Sequence, residues 1–547
     1  MSDKLYQKYF LSQSISILVF YASLFIVSVV LLSIKIPISS FHFYIGCIVW
    51  LASTFLLSKQ LNIPNKVFYL STSISLIILF LAGIYFSKIY DVYYDSQWYH
   101  MEAVIQMHNG WNPFYSQLIN SQVSAGGANY LNHFPLAAWI VESDLFAFSN
   151  NLESAKCLTS FLQFGLFFSA AYLFNSILKI NILAATFLAI LTSVNPVTVL
   201  SSYSFYLDGQ AAVFFSMACI FSLCFFVRRD TIFLFLALLS CLLLAHIKLT
   251  GSVYVCLIVA AIFVVNYFIK VMSLKQLFLS CTLWFVLTFI IIGFHPFVTN
   301  TIEKKSPIYP AVELAQKVYE IIPANFIGEN RFEKLWLSVW AIPDWSRQPE
   351  NAKIKNLLDT PSLWHYGDGV PETGGWGPLI VESMILMFVL LLFIFFTDYK
   401  SEQFRYGFIF IAFIFATVFI NPEPWCTRYI PQFWLAIIAL LYIISTSKHF
   451  SFYSIHFSIL LLLNVFVMGK VYVDEATMRS ENMKKQFAVL LPIQDKIEID
   501  YGWFKSFRYR MHEIGFDTTK FVQIPKRDST DIPIEWGVKA CYRFKTK

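Results

Sequence analysis

The segment Asp91-Val-Tyr-Tyr-Asp95-Ser-Gln-Trp-Tyr-His100-Met-Glu102 follows directly on a long apolar run and carries three acids and a histidine. A carboxylate at the border of lipid and water can meet an acceptor hydroxyl from one side and a lipid-borne donor from the other. Proton transfer by a positioned group of this kind contributes about 10²–10⁴ in rate. From 97 to 108, Trp98, Met101, Val104 and Ile105 recur at helical spacing. That pattern predicts an amphipathic helix lying in the membrane interface, with Trp98 at headgroup depth. Asp95 stands just before this helix. It reads either as an N-cap accepting the orphan amide bonds of the first turn or as a general base, and the two roles are compatible.

Three further short polar stretches interrupt apolar runs. Ser201-Ser-Tyr-Ser-Phe-Tyr206-Leu-Asp208-Gly-Gln210 ends with an acid that opens the next helix, so capping competes with binding of an acceptor, a sugar hydroxyl or a metal. His246-Ile-Lys248-Leu-Thr-Gly251 offers a lysine that either snorkels to headgroups or meets a phosphate. Asn421-Pro-Glu423-Pro-Trp425-Cys-Thr-Arg428-Tyr429-Ile-Pro431 carries an arginine whose structural partner would be Glu423. Its functional partner would be a phosphate, because the guanidinium fork matches phosphate oxygens and stays charged. His295-Pro296 ends another run, and His365-Tyr-Gly-Asp368-Gly with Gly374-Gly-Trp-Gly377-Pro reads as a glycine-rich connector. It is not a P-loop, since Gly-Lys-Ser/Thr is missing.

The elements that must position these residues follow from composition. Of 547 residues, 57% are hydrophobic and 14% are Asp, Glu, Lys or Arg. Soluble domains carry about 25% charged residues, so a soluble enzyme and a disordered chain are excluded. The apolar runs are too many for a single-pass receptor. The fold class is an all-α polytopic membrane protein. Spans of about 20 residues are expected near 12–34, 41–57, 68–88, 157–178, 182–200, 210–227, 231–246, 252–269, 277–296, 379–397, 406–420, 431–446 and 452–469, thirteen in all. The first run is long enough to span and has no small-residue cleavage site behind it.

Lys4, Lys8, Lys59, Lys66, Lys179, Arg228, Arg229, Lys270, Lys275, Lys400, Arg405 and Lys448 fall on one side of these spans. The positive-inside rule makes that side, with the N-terminus, cytoplasmic. Lys35, Lys248 and Arg428 lie in short connections opposite. Three stretches too polar to span are then external: the first loop 89–156, the second large loop 297–378 and the tail 470–547. The chain divides into a membrane module, 1–469, and an external C-terminal domain, 470–547. In that domain a charged helical run at 475–487 is followed by strand-like pieces such as 520–524. The nine cysteines lie mostly within apolar runs and read as small hydrophobes. The net charge of +6 is small, and no nucleic-acid partner is expected.

The order of apolar span, acid, helix with Tyr99-His100 and then Gly110-Trp111-Asn112-Pro113 resembles the first loop of GT-C superfamily glycosyltransferases. The pattern is similar to protein O-mannosyltransferases and to bacterial transferases acting on lipid A or surface polysaccharide. Asn132-His133-Phe134-Pro135-Leu136 resembles the stretch leading into their next span, and Arg428-Tyr429 before Pro431 resembles a late element of several such families. The resemblance covers mainly 68–300 and more loosely 380–435. It implies a GT-C-like bundle, a polyprenyl-phosphate-linked sugar donor and Asp95 as catalytic base, with Asp91 as the alternative, and inversion at the anomeric carbon. The implied acceptor is a glycan, lipid or protein, and the implied location is the external face of a bacterial inner membrane. It also implies substrate binding by Asp91, His100, Glu102 and His133 from the first loop, and by Asp208, Lys248, Arg428 and Tyr429 from later turns. Many relatives place Glu directly after the catalytic Asp, whereas this chain has Ser96. That departure leaves a divalent metal open, and no other cofactor is expected.

Two other functions fit the composition. A polysaccharide polymerase or ligase would use a lipid-linked substrate and depend on external arginines such as Arg331 and Arg347. A lipid-linked oligosaccharide transporter would need polar residues at mid-membrane along several spans, whereas most spans here are apolar through their centres.

Overall fold

The computed structural model describes residues 3–311, 322–342, 351–355, 375–522 and 531–545. Helices dominate, and ten of those among the described residues are long and apolar enough to cross a membrane. The chain is therefore a multi-pass membrane protein. The first three helices are α1 (Asp3–Ser33), α2 (Ser40–Gln60) and α3 (Asn65–Phe86). The first loop then folds into α4 (Met101–His108) and α5 (Ala137–Ser149). The central helices are α6 (Cys157–Ala171), α7 (Ile182–Ser193), α8 (Asp208–Arg228), α9 (Thr231–Ile247), α10 (Leu249–Ile269) and α11 (Leu274–Phe285). The second loop carries α12 (Arg331–Trp340), and α13 (Ile380–Asp398), α14 (Glu402–Ile420), α15 (Phe433–Thr446) and α16 (Tyr453–Leu490) follow.

Every expected span coincides with one of these helices, but α7, α9 and α15 are shorter apolar helices than a full crossing requires. The expected span at 182–200 is divided. α7 stops at Ser193, and Asn195 caps a separate short helix, Pro196–Ser201, by accepting from the Thr198 amide. Elsewhere, helix ends follow local chemistry. α8 and α10 terminate at Arg229 and Lys270 in the left-handed conformation, which releases the chain from the helix.

α1 and α8 are enclosed along most of their length, whereas α2, α3, α10, α11, α13 and α14 leave most of theirs uncovered. The uncovered side chains are large and apolar, among them Phe80, Phe268, Leu283, Phe396 and Ile409. In a membrane protein that surface faces lipid, and α1 and α8 form the protein-facing core.

The first loop departs from expectation. The 97–108 helix does not lie on the membrane. Ser96–His100 form one wide helical turn leading into α4, and Met101, Glu102, Val104, Ile105 and Met107 are all buried. Its apolar stripe packs on α5, and the C-terminal region covers it. Trp98 is half-buried: its indole donates to the Ala125 carbonyl (3.0 Å) and its ring packs on Tyr130. A helix stripe of this kind meets lipid or protein equally well, so the pattern alone does not choose.

The expected boundary at 469/470 falls inside α16. That helix continues unbroken to Leu490 and joins the last apolar stretch to the tail. Beyond it, β1 (Ile497–Asp500), β2 (Ile532–Pro533) and β3 (Cys541–Phe544) form an antiparallel sheet in the order β1-β3-β2, with α17 (Lys505–Glu513) beside it. The expected strand at 520–524 is not one where described: Thr518–Lys520 is a short helical turn, and 523–524 lie outside the described residues.

Candidate functional site

Four separate segments meet at one end of the bundle. Asp95 and Arg428 form an ion pair at 2.9 Å. Asp208, the first residue of α8, pairs with Lys248. The two pairs share an aromatic floor. Lys248 Nζ lies 4.6 Å from the centre of the Tyr429 ring, and the Arg428 guanidinium lies 5.1 Å from Tyr206 and 5.4 Å from Tyr429. Cations over aromatic faces gain from the ring quadrupole, so both are held even if their carboxylates change partners.

These contacts decide between the alternative roles. Asp95 has helical backbone angles and its side chain makes no capping bond. Asp208 likewise caps nothing. Lys248 does not extend to a headgroup. It sits in extended conformation at the break between α9 and α10 and turns to Asp208. Gly251 permits that break, because a Cβ there would stand 2.1 Å from the Leu244 carbonyl oxygen. Glu423 is not the partner of Arg428. It accepts from Lys334 (3.0 Å) and the Trp425 indole (2.6 Å), which leaves Arg428 directed at Asp95.

A narrow cleft opens beside the two pairs. Asp208, Lys248, Arg428 and Tyr429 form its polar wall, and Ala211, Phe215 and Tyr254 extend it along α8 and α10. The Tyr254 hydroxyl donates to the Tyr429 carbonyl (3.0 Å), fixing the turn that presents Arg428. His100 borders the same charges. Its Nδ1 accepts from the Trp139 indole (3.0 Å), which puts the ring proton on Nε2. Burial pushes this imidazole down to about 3 against an ordinary 6.5, and the Arg428 and Lys248 charges act in the same direction. His100 is therefore a neutral donor at any working pH.

The other three first-loop residues do not reach the pocket. Asp91 is fully buried, and its carboxylate accepts the Tyr93 and Phe205 amides at 2.9 and 2.7 Å. It ties the first loop to the 201–207 turn and so places Asp95 beside Tyr206 and Asp208. Glu102 is spent on the backbone amide and hydroxyl of Ser124, at 2.9 and 2.6 Å. His133 Nδ1 meets Asn300 Oδ1 at 2.7 Å and joins the first loop to the second. Asp91, Glu102 and His133 thus make structural contacts that hold the first loop together and tie it to its neighbours.

Burial raises the Glu102 carboxyl to about 7 and that of Asp91 to about 6, from ordinary values of 4.5 and 3.8. The folded state then binds more protons than the unfolded chain across that window, so stability falls as pH rises from about 4 to 7 and levels off above it. Glu102→Gln is expected to flatten part of this slope, bringing the melting temperatures at pH 5 and pH 8 closer together.

The pattern did not reveal the buried cluster behind Asp91. Glu153 accepts from the Asp91 amide (3.0 Å), from Lys156 (2.6 Å) and from Arg510 of α17, and Arg510 also donates to the Asp91 carbonyl (3.0 Å). The Glu153-x-x-Lys156 spacing is a visible signal for the local pair, but nothing nearby announces Arg510. Tyr206, Tyr254 and Trp139 were also missed, because tyrosine and tryptophan near span ends ordinarily mark the membrane interface.

Arg331 donates to the Phe419 carbonyl (2.8 Å). Arg347, His365, Asp368 and Gly374 lie outside the described residues. Among the described residues, no three His, Cys, Asp or Glu side chains are grouped so as to hold a metal ion. Asp95 and Asp208 each already face a side-chain cation, which a divalent ion would have to displace, so no step is derived through a metal. No protein-family model, curated protein or solved structure matches this chain.

Proposed function

We propose that the chain is a membrane glycosyltransferase that moves a sugar from a polyprenyl-phosphate carrier to the hydroxyl of a glycan, lipid or protein acceptor. The observation that carries this reading is the meeting of Asp208, Lys248 and Arg428 at one cleft between membrane helices, with Asp95 paired to Arg428 beside it. Two cations and two carboxylates at the end of a lipid-facing bundle suit a substrate with a phosphate head and an apolar tail. In this reading α7, α9 and α15 complete thirteen crossings of a GT-C-like bundle. The site then faces the outside of a bacterial inner membrane, with the N-terminus in the cytoplasm.

The donor phosphate enters beside Lys248 and competes with Asp95 for Arg428. Its arrival frees the Asp95 carboxylate, which takes the proton of the acceptor hydroxyl as that oxygen attacks the anomeric carbon. The bond from the anomeric carbon to the phosphate oxygen breaks, and the lipid phosphate leaves with the bonding pair. Lys248 and Arg428 hold the charge that grows there, a form of stabilisation strengthened by partial exclusion of water. A single displacement inverts the configuration. His100 Nε2 supplies a fixed donor for a sugar hydroxyl.

The test feeds purified protein several polyprenyl-phosphate sugars and measures released polyprenyl phosphate. Release with none of them, together with movement of labelled lipid across proteoliposomes, would favour the transporter. Lys248→Gln is expected to lower kcat about 10²–10³-fold, the cost of removing one stabiliser of developing negative charge, with a smaller rise in donor KM. Single-turnover kinetics check it.

A further inference from the structure

The second loop carries a helix whose outer face no part of the described protein covers. α12 begins with a capping box: Asn330 accepts from the Glu333 amide (3.1 Å), and the Glu333 carboxylate accepts from the Asn330 amide (3.0 Å). Its inner face is mixed, burying Leu335 and Val339 beside Lys334 and Ser338. Lys334 reaches Glu423, and the Ser338 hydroxyl donates to the Trp425 carbonyl (2.5 Å). Its outer face is apolar, with Phe332 67% and Trp336 57% exposed one turn apart, and Ile327 64% exposed just before the helix. The helix is therefore apolar on its outer side as well as its inner one, and the outer apolar patch calls for an apolar environment.

The surroundings supply one. Phe332 lies 4.1 Å, centre to centre, from Phe419 in the last turn of α14, and Arg331 donates to the carbonyl of the same residue. The outward side of α14 is apolar and uncovered at Phe408, Ile409 and Ile420. The exposed face of α12 thus continues the lipid-facing surface of a membrane helix around its end. Arg331 and Glu333 flank the apolar stripe where headgroups would lie.

We infer that α12 is seated in the lipid interface on the side of the membrane where the pocket opens, with Phe332, Trp336 and Ile327 among the upper acyl chains. Trp336 takes the amphipathic headgroup position expected of an interfacial tryptophan. The inner face of the same helix holds Glu423 and Trp425, so the turn that presents Arg428 is referenced to the membrane surface. The occupant is a lipid surface. A second copy of the chain or an aqueous loop are outcomes of the test.

The experiment uses the full chain with the exposed or half-exposed Cys256 and Cys47 replaced by alanine. Trp336→Cys and, separately, Phe332→Cys are labelled with an environment-sensitive fluorophore and reconstituted in nanodiscs containing brominated acyl chains. Val489→Cys on the tail, 66% exposed, serves as the aqueous reference. Blue-shifted emission at both α12 positions, quenched by lipid bromine and protected from iodide, is the expected result. Quenching by iodide without an effect of bromine would overturn the inference in favour of a water-facing loop. Protection from both quenchers would overturn it in favour of a protein partner. Two positions guard against one label disturbing the helix.

Discussion

Asp95→Asn is expected to lower sugar transfer about 10²–10⁴-fold, the range for loss of a positioned proton acceptor. Asparagine keeps the shape of the side chain and its hydrogen-bond acceptor but cannot take the proton. The protein should stay folded. The Asp95–Arg428 pair is only partly closed to solvent, at 20% and 11% side-chain exposure, and asparagine keeps an acceptor for the guanidinium. Arg428 also keeps its place over the Tyr206 and Tyr429 rings. The decisive reading is the split between kinetic constants. A base acts in the transition state, so kcat falls, whereas donor KM stays level or drops because the carboxylate no longer competes with phosphate for Arg428. Transfer by the asparagine variant at the parental rate would remove Asp95 from the chemistry. A lowered melting temperature with unchanged kcat would reduce the ion pair to a structural one.

The largest effect on stability is expected at Glu153. This carboxylate joins Lys156, Arg510 and the Asp91 amide in a place closed to solvent. Both cations sit at ion-pair distance from this one carboxylate. Glu153→Gln leaves the buried Lys156 and Arg510 without the carboxylate they share. Removing one partner of a buried pair costs about 3–5 kcal/mol. Arg510→Met should cost less, because the Lys156–Glu153 pair survives. The consequence reaches further than stability. Arg510 is the point where α17 grips the backbone of Asp91, four residues before Asp95. Around it, Val92 from the first loop packs in one apolar cluster with Met483, Phe487, Phe507 and Met511 of the tail. Limited proteolysis of Glu153→Gln should therefore release fragments from 470–547 that stay protected in the parent. Equal protection in both would mean that the apolar cluster alone holds the tail.

Much of the site was readable before folding, for a reason that also sets the limit. Charges are scarce in this chain, so a carboxylate or cation at the end of a long apolar run stands out, as Asp95, Asp208, Lys248 and Arg428 do. Asp91, Glu102 and His133 stand out by the same signal, yet each is consumed by a structural contact. Residue type and membrane depth are shared by both groups. What separates them is the partner, and the partner is distant in sequence. Asp91 accepts from Phe205, and His133 meets Asn300. The helix at 97–108 illustrates the point for packing. Its apolar stripe was correct, but the surface that covers it is the tail rather than lipid. α12, with a stripe of the same kind, is the one left uncovered.

By itself the sequence determined that this protein lives in a membrane, where its helices run and which few polar residues collect at their ends. Those are local properties: run length, hydropathy and the cost of leaving a charge in lipid are all decided within about 20 residues. Only the tertiary structure decided that Arg428 answers Asp95 across 333 positions rather than Glu423 across five, and that Arg510 reaches back to Glu153. It also decided that α16 runs through the expected boundary to carry the tail over the first loop. Pairings of this kind depend on which helix faces are adjacent once the apolar surfaces have packed. No window of sequence contains that information.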